Sequence, residues 1–196
     1  SRAGAGCSGR LSSSPAWADV AAGVAGLLLP LAFSPFDLFP LAILSPALLF
    51  VSWHGASPGR AALRGFLFGL GMFGVGVSWV YVSMHLYGNM PAPLAGFAVF
   101  LFVAGLSLYP TLLGWLQARL FPKPGPWHPL FVLASSWVLF EWMRGWFLTG
   151  FPWLHLGYSQ IATPLSGYAS WFGVYGVSYF CAISAGLLAA SAHTPE

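Results

Sequence analysis

From Trp17 onward the chain is built of long apolar stretches separated by short breaks of proline, glycine and polar residues. Six such stretches stand out: about Trp17 to Phe33, Phe36 to Trp53, Phe66 to Leu86, Leu94 to Leu116, Pro129 to Phe147 and Tyr168 to Ala190. Each approaches or reaches the roughly 17–25 residues that an α-helix needs to cross a bilayer. None alternates polar and apolar positions as a barrel strand does, so helices are predicted throughout. The first two are short and carry Pro30, Pro40 and Pro46, which predicts a kinked pair or a partly re-entrant hairpin. Residues 1–16 are Ser-, Gly- and Ala-rich and read as a disordered tail. The pattern predicts an all-α integral membrane protein, a polytopic bundle of about six transmembrane helices over residues 17–192, with 193–196 as a truncated end.

Composition strengthens this picture. Only 6% of the 196 residues are charged and 58% are hydrophobic, against about 25% charged in soluble domains. A water-facing surface could not be covered with so few charges. The net charge of +3 comes from seven basic residues spread along the chain. They form no cluster that would follow a phosphate backbone, so a nucleic-acid partner is excluded.

The placement of those basic residues predicts a topology. Arg2 and Arg10 precede the first stretch, Arg60 and Arg64 separate the second and third, and Arg119 and Lys123 separate the fourth and fifth. The 34–37, 87–93 and 149–165 connections hold no Lys or Arg. By the positive-inside rule the former lie in the cytoplasm, with the N-terminus, and the latter outside. Arg144 is the exception, three residues after Glu141 on one helix face. Two readings stay open for the pair: a clamp that orients the helix end, or a charge held out to meet an anionic group such as a lipid phosphate. Either way, pairing and snorkelling would ease their place in the membrane.

The outer connections are rich in aromatic and turn residues. "SWVYVSMHLYGNMP" (78–91) carries Trp79, Tyr81 and Tyr87, and "GFPWLHLGYSQ" (150–160) carries Phe151, Trp153, His155 and Tyr158. Trp and Tyr favour the headgroup level, which predicts a loop folded back onto the membrane surface. Small residues Gly65 and Gly69 predict close helix packing. The five His have no metal-ligand spacing, and no nucleophile elbow or phosphate loop is present. Cys7 and Cys181 make no disulfide framework, and Cys181 reads as a packing residue inside an apolar run.

Three segments carry a family resemblance. "EWMRGWFLTGFPWLHLGYSQ" (141–160), "LAFSPFDLFPLAILS" (31–45) and "SWVYVSMHLYG" (78–88) resemble, in order and spacing, stretches of bacterial apolipoprotein N-acyltransferase. The resemblance implies a multi-pass protein of the bacterial inner membrane, with the aromatic loops on the periplasmic side and no cofactor. It implies an enzyme that moves an acyl chain from a phospholipid donor to the α-amino group of the diacylglyceryl-cysteine of an apolipoprotein acceptor. In that family a nitrilase-like domain supplies a Glu–Lys–Cys triad, with Cys carrying the acyl group as a thioester. The 196 residues end before such a domain would begin, so no catalytic residue is expected here and the chain alone is expected to be inactive. The candidate substrate-binding residues are Glu141, Arg144, Phe151, Trp153, Tyr158 and Gln160, lining a lateral, lipid-facing opening. A lipid-binding scaffold and a small transporter subunit are the competing expectations.

Overall fold

The computed structural model describes residues 16–123, 125 and 127–192. The polar tail before Ala16 and the 193–196 end lie outside them. Seven α-helices, with short 3₁₀ and π turns, make up the described residues, and no strand occurs among them. They are α1 (Ala16–Leu28, extended by a 3₁₀ turn to Ala32), α2 (Leu41–Trp53), α3 (Pro58–Gly76), α4 (Trp79–Val82), α5 (Ala92–Leu120), α6 (Ala134–Trp146) and α7 (Ala169–Ser191). A π turn, Ser83–Tyr87, follows α4, and another, His128–Leu133, leads into α6.

Each predicted apolar stretch contains a helix, but the span count is narrower than the pattern predicted. Ala92–Leu120 and Pro164–Ser191 are long and apolar enough to cross a membrane on their own. A third span results if α3 and the 79–87 segment count as one bent element. The first two helices are shorter apolar pieces. Along α5 the outward side chains include Leu94, Phe97, Phe100, Leu101, Leu108 and Leu112, all exposed. A surface of that kind suits hydrocarbon rather than water.

The third stretch departs from the prediction at both ends. It begins eight residues earlier, because Ser57 caps the helix by accepting from the Arg60 N–H and Pro58 occupies its first turn. It also breaks where a continuous span to Leu86 was predicted. Val77 leaves the helical region (φ −118°, ψ 18°) and the chain turns by 51°. Leu154 fills the space beside Gly76, where an added Cβ would sit 2.3 Å from its Cδ1.

α3 is the centre of the bundle, with α1 on one side and α5 on another. The approach to α5 is backbone to backbone: a Cβ on Gly65 would fall 2.1 Å from the Pro110 carbonyl oxygen. The small-xxx-small expectation is met in this contact. α2 and α6 pack on α7, and the aromatic core joins the halves. Trp137 of α6 meets Phe50 of α2 edge-on at 5.9 Å and Phe68 of α3 at 6.0 Å.

At the end of the bundle where α3 begins, Asp19 of α1 bonds to Arg60 Nη1 and Arg64 Nε, both at 2.8 Å. Arg64, predicted in a loop, is 2% exposed and also donates to the Ser52 carbonyl of α2. Trp53 Nε1 closes the same corner on Ala61 O at 2.9 Å. Asp19→Ala leaves Arg64 buried without its counter-ion and is expected to cost about 3–5 kcal/mol. Arg60 is 40% exposed, so Arg60→Ala should stay within about 1 kcal/mol. Thermal unfolding of the three proteins in one detergent checks the ranking.

Candidate functional site

The residues from 147 to 160 leave α6, reverse, and run back alongside it. The reversal uses left-handed backbone at Leu148 (φ 50°), Thr149 (φ 76°) and Gly150 (φ 80°), and again at Leu154 (φ 59°). Three of these four lack glycine's freedom, and such conformations persist only where surrounding contacts impose them.

Those contacts come from α6. The Phe151 N–H donates to Arg144 O at 2.7 Å, and Arg144 Nη1 donates back to Trp153 O. Deeper, the Leu156 N–H donates to Glu141 Oε1 at 2.9 Å, which also accepts from Trp137 Nε1 at 3.0 Å. The Gly157 N–H donates to Ser178 Oγ of α7 at 2.8 Å. Close packing accompanies this bond, since a Cβ on Gly157 would lie 2.3 Å from Val174 O. The segment is folded back, as predicted, and part of it enters the bundle: His155 and Leu156 are 1% and 0% exposed.

Glu141 and Arg144 do share a helix face, but they form no ion pair within 4 Å, and each is 3% exposed. The expected pairing and snorkelling are both replaced by bonds to loop backbone. The Arg144 guanidinium lies over the Phe73 ring, 5.1 Å from its centroid. Between α3, α5 and α6 is a half-open crevice lined by Phe73, Tyr109, Trp137, Phe140, Glu141 and Arg144 among others, with about 30 Å³ of space. That holds a water or two, not a lipid chain.

Gln160 is also interior, 1% exposed. Its Nε2 donates to Ser159 Oγ at 2.9 Å and, at 3.5 Å, to Phe39 O of the 33–40 connection; its Oε1 accepts from Thr163 Oγ1 at 3.1 Å. The segments 31–45 and 141–160 are thereby joined across 121 positions of sequence. Of the remaining three candidates two are exposed and the third packs against the core. Trp153 and Tyr158 are 49% and 45% exposed, and Phe151 is half-buried.

Phe151 and Trp153 belong to a row of rings that the sequence did not single out as a unit. Phe102 of α5 meets Phe151 edge-on at 5.1 Å, Phe151 stacks on Trp153 at 6.1 Å, and Trp153 reaches Trp79 of α4 at 5.5 Å. Trp79 was visible as an aromatic at the end of its stretch; Phe102 and Ser178 sit mid-helix with nothing local to mark them.

The comparisons with known proteins fit this arrangement of segments. The sequence model described as the apolipoprotein N-acyltransferase N-terminal domain matches residues 25–187. The chain belongs to the apolipoprotein N-acyltransferase family. The apolipoprotein N-acyltransferase of Methylococcus capsulatus is 51% identical over 163 residues, which is 83% of this chain and 32% of that protein. The proteins of the same name from Vibrio cholerae and Coxiella burnetii are 45% and 46% identical over 87% of this chain, covering 34% and 35% of their own lengths. The chain thus spans about a third of the apolipoprotein N-acyltransferases it matches, and the three resembling segments all fall inside the matched region.

His155 lies between the rings of Tyr158 (5.9 Å, nearly parallel) and Tyr175 (5.4 Å), with neither ring nitrogen hydrogen-bonded. Burial, and after it the nearby Arg144 charge, push its pKa from the ordinary 6.5 down to about 4. The folded ring stays neutral where the unfolded one takes a proton. Stability is then full above about pH 6.5 and falls as pH drops toward 4. Thermal unfolding between pH 7 and 4 should show this loss (the pH limits being roughly those of the shift), and His155→Phe should flatten it.

Proposed function

We propose that the chain is the membrane-embedded N-terminal part of an enzyme that transfers an acyl chain from a phospholipid to the α-amino group of the diacylglyceryl-cysteine of apolipoproteins. Family membership carries this reading, and the Phe102–Phe151–Trp153–Trp79 row, whose two Trp rings are exposed, is the feature that supports it best. A row of half-exposed rings at one end of an apolar bundle offers a surface for the glyceryl and upper acyl region of a lipid. On this reading Phe151, Trp153 and Tyr158 face the lipid substrates at a lateral opening.

The chain crosses the bacterial inner membrane about six times, with the Arg60, Arg64 and Arg119 end in the cytoplasm. The aromatic row then stands at the periplasmic end. The thioester-forming nucleophile is supplied from outside these 196 residues. Of the two cysteines in the sequence, Cys181 is fully buried in α7, and Cys7 belongs to the polar segment before α1. The chain by itself is proposed to bind lipid without turnover.

A chimera tests this. Residues 25–187 replace the matching third of the Methylococcus capsulatus protein in a strain depleted of its own N-acyltransferase. Growth and N-acylated lipoproteins are expected. Normal membrane levels of the chimera without N-acylation would sink the reading. In the same chimera Trp153→Ala should lower acyl transfer by about 100-fold while leaving membrane insertion intact.

A further inference from the structure

We infer that Glu141 and Arg144 are positioning residues, which hold the re-entrant 151–157 segment and so set the place of the Trp153 ring, instead of meeting a lipid headgroup themselves. The inference rests on the proposed function only for what Trp153 does; the holding itself is a matter of geometry.

Three observations carry it. Both side chains are 3% exposed, and their hydrogen bonds run to loop backbone at Trp153 and Leu156 and to the Trp137 ring. The crevice they line has about 30 Å³ of space, too little for a phosphate group with its lipid. The segment they hold contains non-glycine residues in left-handed backbone at Leu148, Thr149 and Leu154, a conformation that needs external support. Arg144 holds the carbonyl of Trp153 itself and Glu141 holds the amide of Leu156 three residues on, so the two contacts fix the backbone that carries the Trp153 ring. What matters in Glu141 is then its role as an acceptor, and in Arg144 its role as a donor to a carbonyl. Net charge at either position is secondary.

That distinction can be measured on the whole chain in lipid nanodiscs, with 5-fluorotryptophan at all 10 Trp positions. The Trp153 fluorine resonance is assigned by its loss in Trp153→Phe. Trp53, bonded to Ala61 O at the other end of the bundle, serves as the folding reference. Arg144→Met should displace the Trp153 resonance while Trp53 stays in place, and Arg144→Lys should keep it close to its parent position. Amide exchange at Leu156 should rise about tenfold or more in Glu141→Leu and little in Glu141→Gln, whose carbonyl still accepts.

An unmoved Trp153 resonance in Arg144→Met, or unchanged Leu156 exchange in Glu141→Leu, with the Trp53 signal intact, would overturn the inference. So would a phospholipid with a photoreactive headgroup that labels Arg144 and spares Trp153. Should the Met and Leu variants fail to fold, Arg144→Lys and Glu141→Gln decide alone: retained Trp153 and Leu156 signals support the inference, and their loss in a folded protein overturns it. An inactive chimera leaves all these spectra as they are, so the functional reading and this one fail separately.

Discussion

Backbone that leaves a helix inside an apolar bundle has to find hydrogen-bond partners without help from water. Residues 154–157 face that constraint, because they are buried beside α6 and only the last two have entered a 3₁₀ turn. The partners along the returning segment come from a carboxylate, a guanidinium, a serine hydroxyl and a helix-end carbonyl. Glu141 and Arg144 are costly residues in such surroundings, and what they provide in return is a fixed path for chain that would otherwise be frayed. The row of rings, the bend in α3 beside Leu154, and the tie from Gln160 to Phe39 all depend on that path.

The rest of the bundle meets the same constraint by a different route. Its helices satisfy their own backbone, so packing decides their arrangement. Small residues on α3 let its backbone reach α1 and α5 closely, as at Gly71 against Leu27 and Gly65 against Pro110. Such contact leaves little freedom for the central helix, and a rigid α3 gives Phe73 a fixed place beneath the Arg144 guanidinium.

Much of the fold was legible because apolar runs longer than a few turns can hardly be anything but helix. The start of α3 was legible in principle: Ser57 and Pro58 are a helix-start signature, although Arg60 and Arg64 beside them suit a loop equally well. The bend at Val77 was not legible, since the side chain packed beside it, Leu154, lies far along the chain. The candidate site divides in the same way. Trp153 and Tyr158 could be picked out by type alone as rings held at the surface of the bundle. The burial of Glu141, Arg144 and Gln160 could not, because it follows from a reversal made by Leu148 and Thr149, residues with no special leaning toward left-handed backbone. Three-residue spacing correctly put Glu141 and Arg144 on one face, yet spacing says nothing about a third party that would take both of them as partners.

The Asp19 contacts bear on how the chain is made. Asp19 precedes its partners Arg60 and Arg64 by 41 and 45 residues, with all of α2 between them. During synthesis α1 is therefore complete, with its carboxylate, before either counter-charge has been added to the chain. The first two helices are short as well as incompletely paired at that moment. Asp19 thus has neither arginine within reach until α3 has been made, which ties the settling of α1 and α2 to the arrival of α3 and makes the three helices one unit.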